Sequence, residues 1–330
     1  MNLDEACNPL IAEQALPSHP EGGHVSGPKL TSANALGGTD APMKVEGAGM
    51  RALVGIVSRN RAGILPKALD SALAQTTPNV GIAVIDDAST DNTRHLEAKY
   101  PTVDWEFRSE PDGYMSARNE FMAREGLDFF VSLDDDSWFV VGDEITVALE
   151  YFKSDPMLAA VAFDILSPDR PQTRTRGSAD KVGMFIGCGH VLRLSAVRAV
   201  GAYVPAPGGY GGEEKDLCLR LLDAGYKVVR LSGVHVWHDK TLAARDVTWQ
   251  HSSGVCNDLA MAVRRAPLPL LAAIVTAKIF RHLKFSWRAG LMVPCLSGFW
   301  LFARSLPLVW RHRRPVQYET LRTYSALSQE

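Results

Sequence analysis

Cysteine is scarce and scattered in this chain. Cys7, Cys188, Cys218, Cys256 and Cys295 stand at least 30 residues apart with no CxxC among them, which excludes a zinc knuckle and a dense disulfide framework and points to a reducing cytoplasm. Long hydrophobic runs are missing too. In the last 80 residues the apolar stretches Ala266–Ala277 and Ala289–Ala303 are 12 and 15 residues long and are interrupted by Pro267, Pro269 and Pro294, short of the ~18–20 residues a spanning helix needs. The N-terminus, MNLDEACNPL, is acidic where a signal peptide would be basic, so export is not expected. There is little net charge: 35 Lys+Arg against 37 Asp+Glu leave −2, and nucleic acid is not an expected partner. The charge is unevenly placed, however. Residues 251–330 hold 11 Lys+Arg and 3 Asp+Glu, or +8, which leaves −10 for residues 1–250. A basic, apolar tail suits an anionic membrane surface or an interface with another chain, including a second copy.

What is present is an ordinary globular composition, 46% apolar and 22% charged over 330 residues. Residues 1–49 hold 12 Gly+Pro, six acids and two lysines without apolar periodicity, and are expected to be a disordered lead. Residues 50–250 are expected to form one domain and residues 251–330 a helical extension. The domain opens with Ala52–Ser58, a run suited to a strand covered on both faces. Ile64, Leu65, Ala68, Leu69, Ala72 and Leu73 then recur at helical spacing. The alternation continues with a strand at Val80–Ile85, a polar helix at Thr90–Tyr100, a strand at Val103–Phe107, a helix at Met115–Gly126 and a strand at Asp128–Leu133. This predicts a parallel, doubly wound sheet for the first half. Shorter strands (Ala159–Phe163, Met184–Arg193), a helix near Glu213–Ala224 and a strand at Lys227–Leu231 follow.

Ligands of open α/β sheets bind beyond the carboxyl ends of the strands. Two strands end in acids there. Asp86, Asp87 and Ser89 follow one, where capping chemistry is an alternative to ligand binding. Asp134, Asp135 and Asp136 follow the other, and their mutual repulsion calls for a cation or bound donors. An EF-hand starting at Asp134 fails, because Phe139 and Ile145 stand where Gly and Glu are required. A dehalogenase-like phosphohydrolase would place an Asp nucleophile there, but expects Thr or Val at Trp138. A glycine-rich loop, residues 208–212, runs into Glu213, Glu214 and Asp216. Helical spacing aligns Glu214 with Leu217, Cys218 and Leu221 and turns it inward, and aligns Asp216 with Arg220 for an i,i+4 pair. For Glu213 a solvated first-turn acid favoured by the helix dipole is the alternative to a functional role. His235 and His238 are candidate metal ligands on opposite faces of one strand.

Together these motifs resemble the inverting GT-A glycosyltransferases of family 2. The resemblance spans residues 51–240. It rests on VGIVSRNR at 54–61, IDDASTD at 85–91, GYMSARN at 113–119, LDDD at 133–136, GCGHVLR at 187–193, VGAY at 200–203 and GEEKDLCLR at 212–220. It implies a Rossmann-like nucleotide-sugar-binding α/β fold, a mixed sheet flanked by helices, with the helical extension beyond. Ser58, Asn60, Asp86, Asp87, Arg118, Asp134 and Asp135 would then face the donor, with Asp86 or Asp87 on its base. Asp134, Asp136 and His238 would hold Mn²⁺ or Mg²⁺, Glu214 would be the general base, and Gly212, Glu213 and Asp216 would lie on the acceptor side. Glu stands at 214 where the family usually has Asp, and there is no QxxRW of the processive synthases. The implied activity moves one sugar from a nucleoside-diphosphate sugar to a glycan or lipid-linked acceptor. A phosphohydrolase and a non-catalytic sugar-nucleotide binder are the rival readings.

Overall fold

A computed structural model describes residues 50–171, 176–177, 179–240 and 246–328, so the expected disordered lead lies outside the described residues. The first strand, β1 (Ala52–Ser58), is buried on both faces. Leu53 packs on one side with Phe121 and Phe130, while Val54 and Ile56 pack on the other with Val84, Val131 and Leu133. Gly55 lies under the aromatic layer, where a Cβ would sit 2.6 Å from the rings of both Phe121 and Phe130.

β1 leads into α1 (Leu65–Leu73), β2 (Val80–Asp86), β3 (Asp104–Phe107), α2 (Tyr114–Ala123) and β4 (Phe129–Asp134). β1 pairs in parallel with β2 and β4, and β2 with β3. The polar helix expected over 90–100 is only a 3₁₀ turn, Asn92–Leu96. Asp91 pins its start, accepting from the Thr93 and Ala62 amides, and only Thr93 and Leu96 are buried, too little apolar face to sustain a longer helix.

The chain then adds β5 (Ser137–Phe139), α3 (Glu144–Ser154), β6 (Leu158–Leu166), β7 (Ala179–Lys181), β8 (Gly189–Arg193), α4 (Leu194–Val200), α5 (Glu213–Asp223) and β9 (Lys227–His238). β8 runs antiparallel to β4 and β6, so the sheet is mixed, in the order β3-β2-β1-β4-β8-β6-β9-β5 with β7 beside β9. The last strand extends seven residues past the expected Leu231. A bulge at Gly233 (φ 77°), whose amide donates to Asp164 Oδ2 at 2.7 Å, carries the strand through what reads as a turn. β5 pairs with this extended part, setting Ser137 opposite His238.

The extension comprises α6 (Val247–Arg265), α7 (Leu268–Ala289), α8 (Met292–Arg311) and α9 (Tyr318–Leu327). Pro269 and Pro294 sit in first turns, where a missing amide costs nothing. The helices therefore outrun the apolar stretches, and α8, at 20 residues, is long and apolar enough to cross a membrane.

Asp216 fastens α5 to α6. It accepts from Arg220 Nε at 2.8 Å and from Arg265 at 2.6 and 3.0 Å. Burial raises the Asp216 carboxyl, but the bonds from Arg265 and the charges of both arginines outweigh it and hold the group below the usual carboxylate range. The i,i+4 pair is as expected, and both Asp216 oxygens are bonded inside the fold. Asp216→Asn should destabilise the protein by about 3 kcal/mol, because it leaves buried guanidinium charge uncompensated. Because the folded pKa is depressed, this stabilisation is present at neutral pH and lost only as pH falls through that lowered value. Thermal melting of the variant across pH checks both statements.

Candidate active site

The ends of β1, β2 and β4 bring Ser58, Asp86 and Asp134 to one edge of the sheet. At the centre of the cleft lies Arg118, projected from α2 and only 5% exposed. Its Nη2 donates to Asp134 Oδ1 at 2.6 Å and to Gly187 O at 3.3 Å. Its Nη1 lies 3.7 Å from Glu213 Oε1 and 3.6 Å from Glu214 Oε1, without completing a hydrogen bond to either. One guanidinium thus joins the strand-end acids to the acids that open α5. Gly187 makes room for this, since a Cβ there would collide with Glu214 Oε1. The loop bearing Gly187 and Cys188 is held by His190, which bonds Ile186 O at 3.0 Å and the Tyr203 hydroxyl at 3.1 Å. Burial keeps His190 neutral, its pKa lowered to about 3.

Glu213 and Glu214 both face Arg118. Glu213 is 2% exposed, which sets aside the alternative of a solvated acid. Side chains in a helix lean toward its N-terminus, so the first residue of α5 reaches back over the preceding loop into the cleft. Glu214 is the more accessible, its side chain 17% exposed. Burial and then the neighbouring Glu213 push the Glu214 carboxyl well above the usual range, against the opposing charge of Arg118.

The three aspartates are separated by a turn, not carried on a continuing strand. Asp134 is the accessible one, its side chain 34% exposed. Asp135 accepts from Ser58 Oγ at 3.0 Å, and its carboxyl is pushed up to about 7 by burial, with Asp136 and Asp134 adding to the rise and Arg61 opposing it. Asp136 is 2% exposed, takes a bond from Arg61 Nη1 at 3.1 Å, and has His238 Nε2 at 3.3 Å from its Oδ1. Arg61, from the loop after β1, is a site residue that sequence reasoning missed, although it lies within the 54–61 motif.

The residues present fit a divalent cation. His238 Nε2 is buried and makes no hydrogen bond. Ligand atoms of Asp134, His238 and Cys188 lie within 4.8 Å of one another. Burial holds the Cys188 thiol well above its usual pKa, with Asp134 and Asp136 adding to the rise, so the oxygen and imidazole donors are the ones suited to a hard ion. Cys188 too went unrecognised in the sequence.

Other expected donor contacts also bond within the protein. Ser58 donates to Asp135, as above. Asn60, at φ 56°, ties β1 to the segment after β2 by accepting the Thr90 amide at 2.7 Å. Asp87 accepts from the amides of Asp112 and Gly113 and from Arg108, at 2.8 to 3.0 Å. These three therefore also position the loops around the strand ends. Asp86 caps the Ser89 amide through Oδ1 at 3.0 Å. Gly212, the α5 N-cap, is in a left-handed conformation at φ 94°, and the loop before it is pinned to α6. Asn257 takes the Gly208 amide at 2.7 Å and donates to Tyr210 O and Gly211 O, while Ser253 donates to Gly208 O. These bonds anchor the loop to α6.

This arrangement, a mixed sheet with acids at its carboxyl edge and helices following, is the GT-A glycosyltransferase fold. Residues 53–197 match the model for glycosyl transferase family 2. Among solved structures, the mannosyltransferase PcManGT from Pyrobaculum calidifontis, in complex with GDP-Man and Mn²⁺, aligns with TM-score 0.54 at 17% identity, covering 84% of each chain. TarS 1–349 of S. aureus with UDP-GlcNAc aligns with TM-score 0.58 at 15% identity over 80% of this chain and 82% of that one. GalNAc-T7 with UDP, GalNAc and Mn²⁺ aligns with TM-score 0.55 at 16% identity over 81% of this chain and 59% of that one. No curated protein sequence matches this chain.

Asp136→Asn should weaken Mn²⁺-dependent binding of a nucleoside diphosphate by on the order of tenfold to a hundredfold. Calorimetric titration with and without Mn²⁺ checks this.

Proposed function

We propose that this protein is a metal-dependent inverting glycosyltransferase that moves one hexosyl unit from a UDP, dTDP or GDP sugar to an acceptor hydroxyl. The observation that carries the reading is the single guanidinium of Arg118, 2.6 Å from Asp134 on one side and 3.6 Å from Glu214 on the other. Donor-side acids and a candidate base therefore share one cleft. The Mn²⁺ bound to neighbouring structures of the same fold supports a divalent ion at Asp134, Asp136 and His238. When bound, that ion would supply the positive charge that stabilises a departing diphosphate.

The chain's own residues divide the remaining work. Arg118 places Asp134 toward the donor and offers its buried Nη1 to the two glutamates. Glu214 accepts the acceptor hydroxyl's proton as that oxygen attacks the sugar's anomeric carbon, and the carbon–oxygen bond to the diphosphate breaks in the same in-line step. A single displacement inverts the anomeric configuration. Glu213, deeper in the cleft, raises the basicity of its neighbour. Gly212 and the anchored loop before it would border the acceptor.

We assign residues 50–250 to the transferase domain and 251–330 to its extension, and place the enzyme on the cytoplasmic side in cell-surface glycan or glycoconjugate synthesis. The acceptor class is a glycan or a lipid-linked glycan. Following nucleoside diphosphate release from a panel of donor sugars with Mn²⁺ tests the reading. Release of inorganic phosphate, or donor binding without transfer to any acceptor, would contradict it. Glu214→Gln should lower transfer by roughly 10²–10⁴ while donor affinity is nearly unchanged. Because the Glu214 pKa is raised and the base acts only when ionised, wild-type kcat/KM should climb with pH and level off only above that raised value. A profile flat from pH 5 upward would reject Glu214 as the base.

A further inference from the structure

We infer that the outer face of the α7–α8 hairpin docks this protein on an anionic lipid bilayer. Large apolar side chains stand in solvent on it: Phe280 is 67% exposed, Trp287 78%, Val293 75%, Leu296 55% and Trp300 57%. Within each helix their spacing gathers them. Phe280, Lys284 and Trp287 share one face of α7, and Val293, Leu296, Trp300 and Arg304 share one face of α8. The inner faces are already used, since Cys295 packs with Val255 and Leu259 of α6, and Val309 with Ala260 and Val263.

The charge on this face is complementary to anionic lipid. Residues 259–318 contain ten Lys+Arg and no Asp or Glu. Five of the ten are bonded inward: Arg264 to Pro205 O, Arg265 to Asp216, Lys278 and Arg281 to Asp258, and Arg313 to Val263 O. Lys284, Arg288, Arg304, Arg311 and Arg314 are exposed. Three of these, Lys284, Arg288 and Arg304, interleave with the apolar side chains, and Arg304 lies 4.5 Å over the Trp300 ring. An apolar strip with tryptophans and an unbalanced basic rim is the chemistry of a helix lying at the headgroup boundary.

The other ways of covering this face fit less well. A second copy pairing through it would set basic rim against basic rim. A spanning arrangement would have to strip α8 from α6 and release the bond between His251 and Ser286 Oγ, 2.8 Å, that fastens α7. The hairpin therefore lies in the plane of the surface with α6 above it. Because α6 also carries Ser253 and Asn257, which hold the glycine loop, docking would fix the orientation of the cleft to the membrane. The inference does not depend on the chemistry performed there.

The test is co-sedimentation of the full-length protein with vesicles of phosphatidylcholine, with and without phosphatidylglycerol. Binding should require phosphatidylglycerol and weaken as salt rises. Lys284→Glu with Arg288→Glu should lower the affinity by about fivefold or more for each charge. Trp287→Ser with Trp300→Ser should abolish sedimentation while the thermal midpoint and the Mn²⁺-dependent nucleotide affinity stay at wild-type values. Absence of binding at low salt, or binding indifferent to both pairs of substitutions, would overturn the inference. So would a wild-type mass of two chains by light scattering that falls to one in the tryptophan variant, since a second copy would then own the face.

Discussion

A buried guanidinium needs carboxylates, and Arg118 has three of them within 4 Å: Asp134, Glu213 and Glu214. Much of the architecture serves this one cation. β4 delivers Asp134, α2 delivers the arginine, and α5 delivers the glutamates. β4 pairs in parallel with β1 and antiparallel with β8, and Gly187, just before β8, accepts from the same guanidinium. Gly187 has no side chain because the glutamate and the guanidinium occupy the space. Among the described residues, Arg118 pairs with Asp134, Glu213 and Glu214, and Arg61 with Asp135 and Asp136, five carboxyl groups to two guanidinium groups, an arrangement suited to a further cation.

The helical extension takes part in this arrangement. Arg265 of α6 neutralises Asp216, and Asn257 and Ser253 of the same helix take up the backbone groups of the glycine loop. The position of Glu214 therefore depends on residues more than 35 positions away in sequence. One helix thus connects the acid end of the cleft to the exposed hairpin.

Where packing and periodicity agree, the sequence is legible. β1 is found at its expected limits, Ala52–Ser58, because a strand covered on both faces reads as an unbroken apolar run. α3 went unread although Ile145, Ala148, Leu149 and Phe152 have helical spacing, because the Asp-rich segment before it dominates the local pattern. Its buried Glu144 is satisfied by the amides of Val140, Val141 and Gly142, contacts that no spacing rule reveals. The site shows the same division. Asp134 and Asp136 are legible as strand-end acids and Glu214 by its helical spacing, whereas Arg118 enters only through the resemblance. That Ser58, Asn60 and Asp87 hold loops, that Glu213 is buried, and that Asp216 bonds to Arg265 all depend on partners 20 or more residues away.

If Arg118 and the paired glutamates set the chemistry, the protonation of Glu214 is its signature. The direct measurement is a ¹³C NMR titration of the Glu214 carboxyl in the wild type and in Glu213→Gln. The wild-type midpoint should lie well above the ordinary carboxylate range, and removing the Glu213 charge should move it down. A midpoint near ~4 that is indifferent to Glu213 would contradict the account.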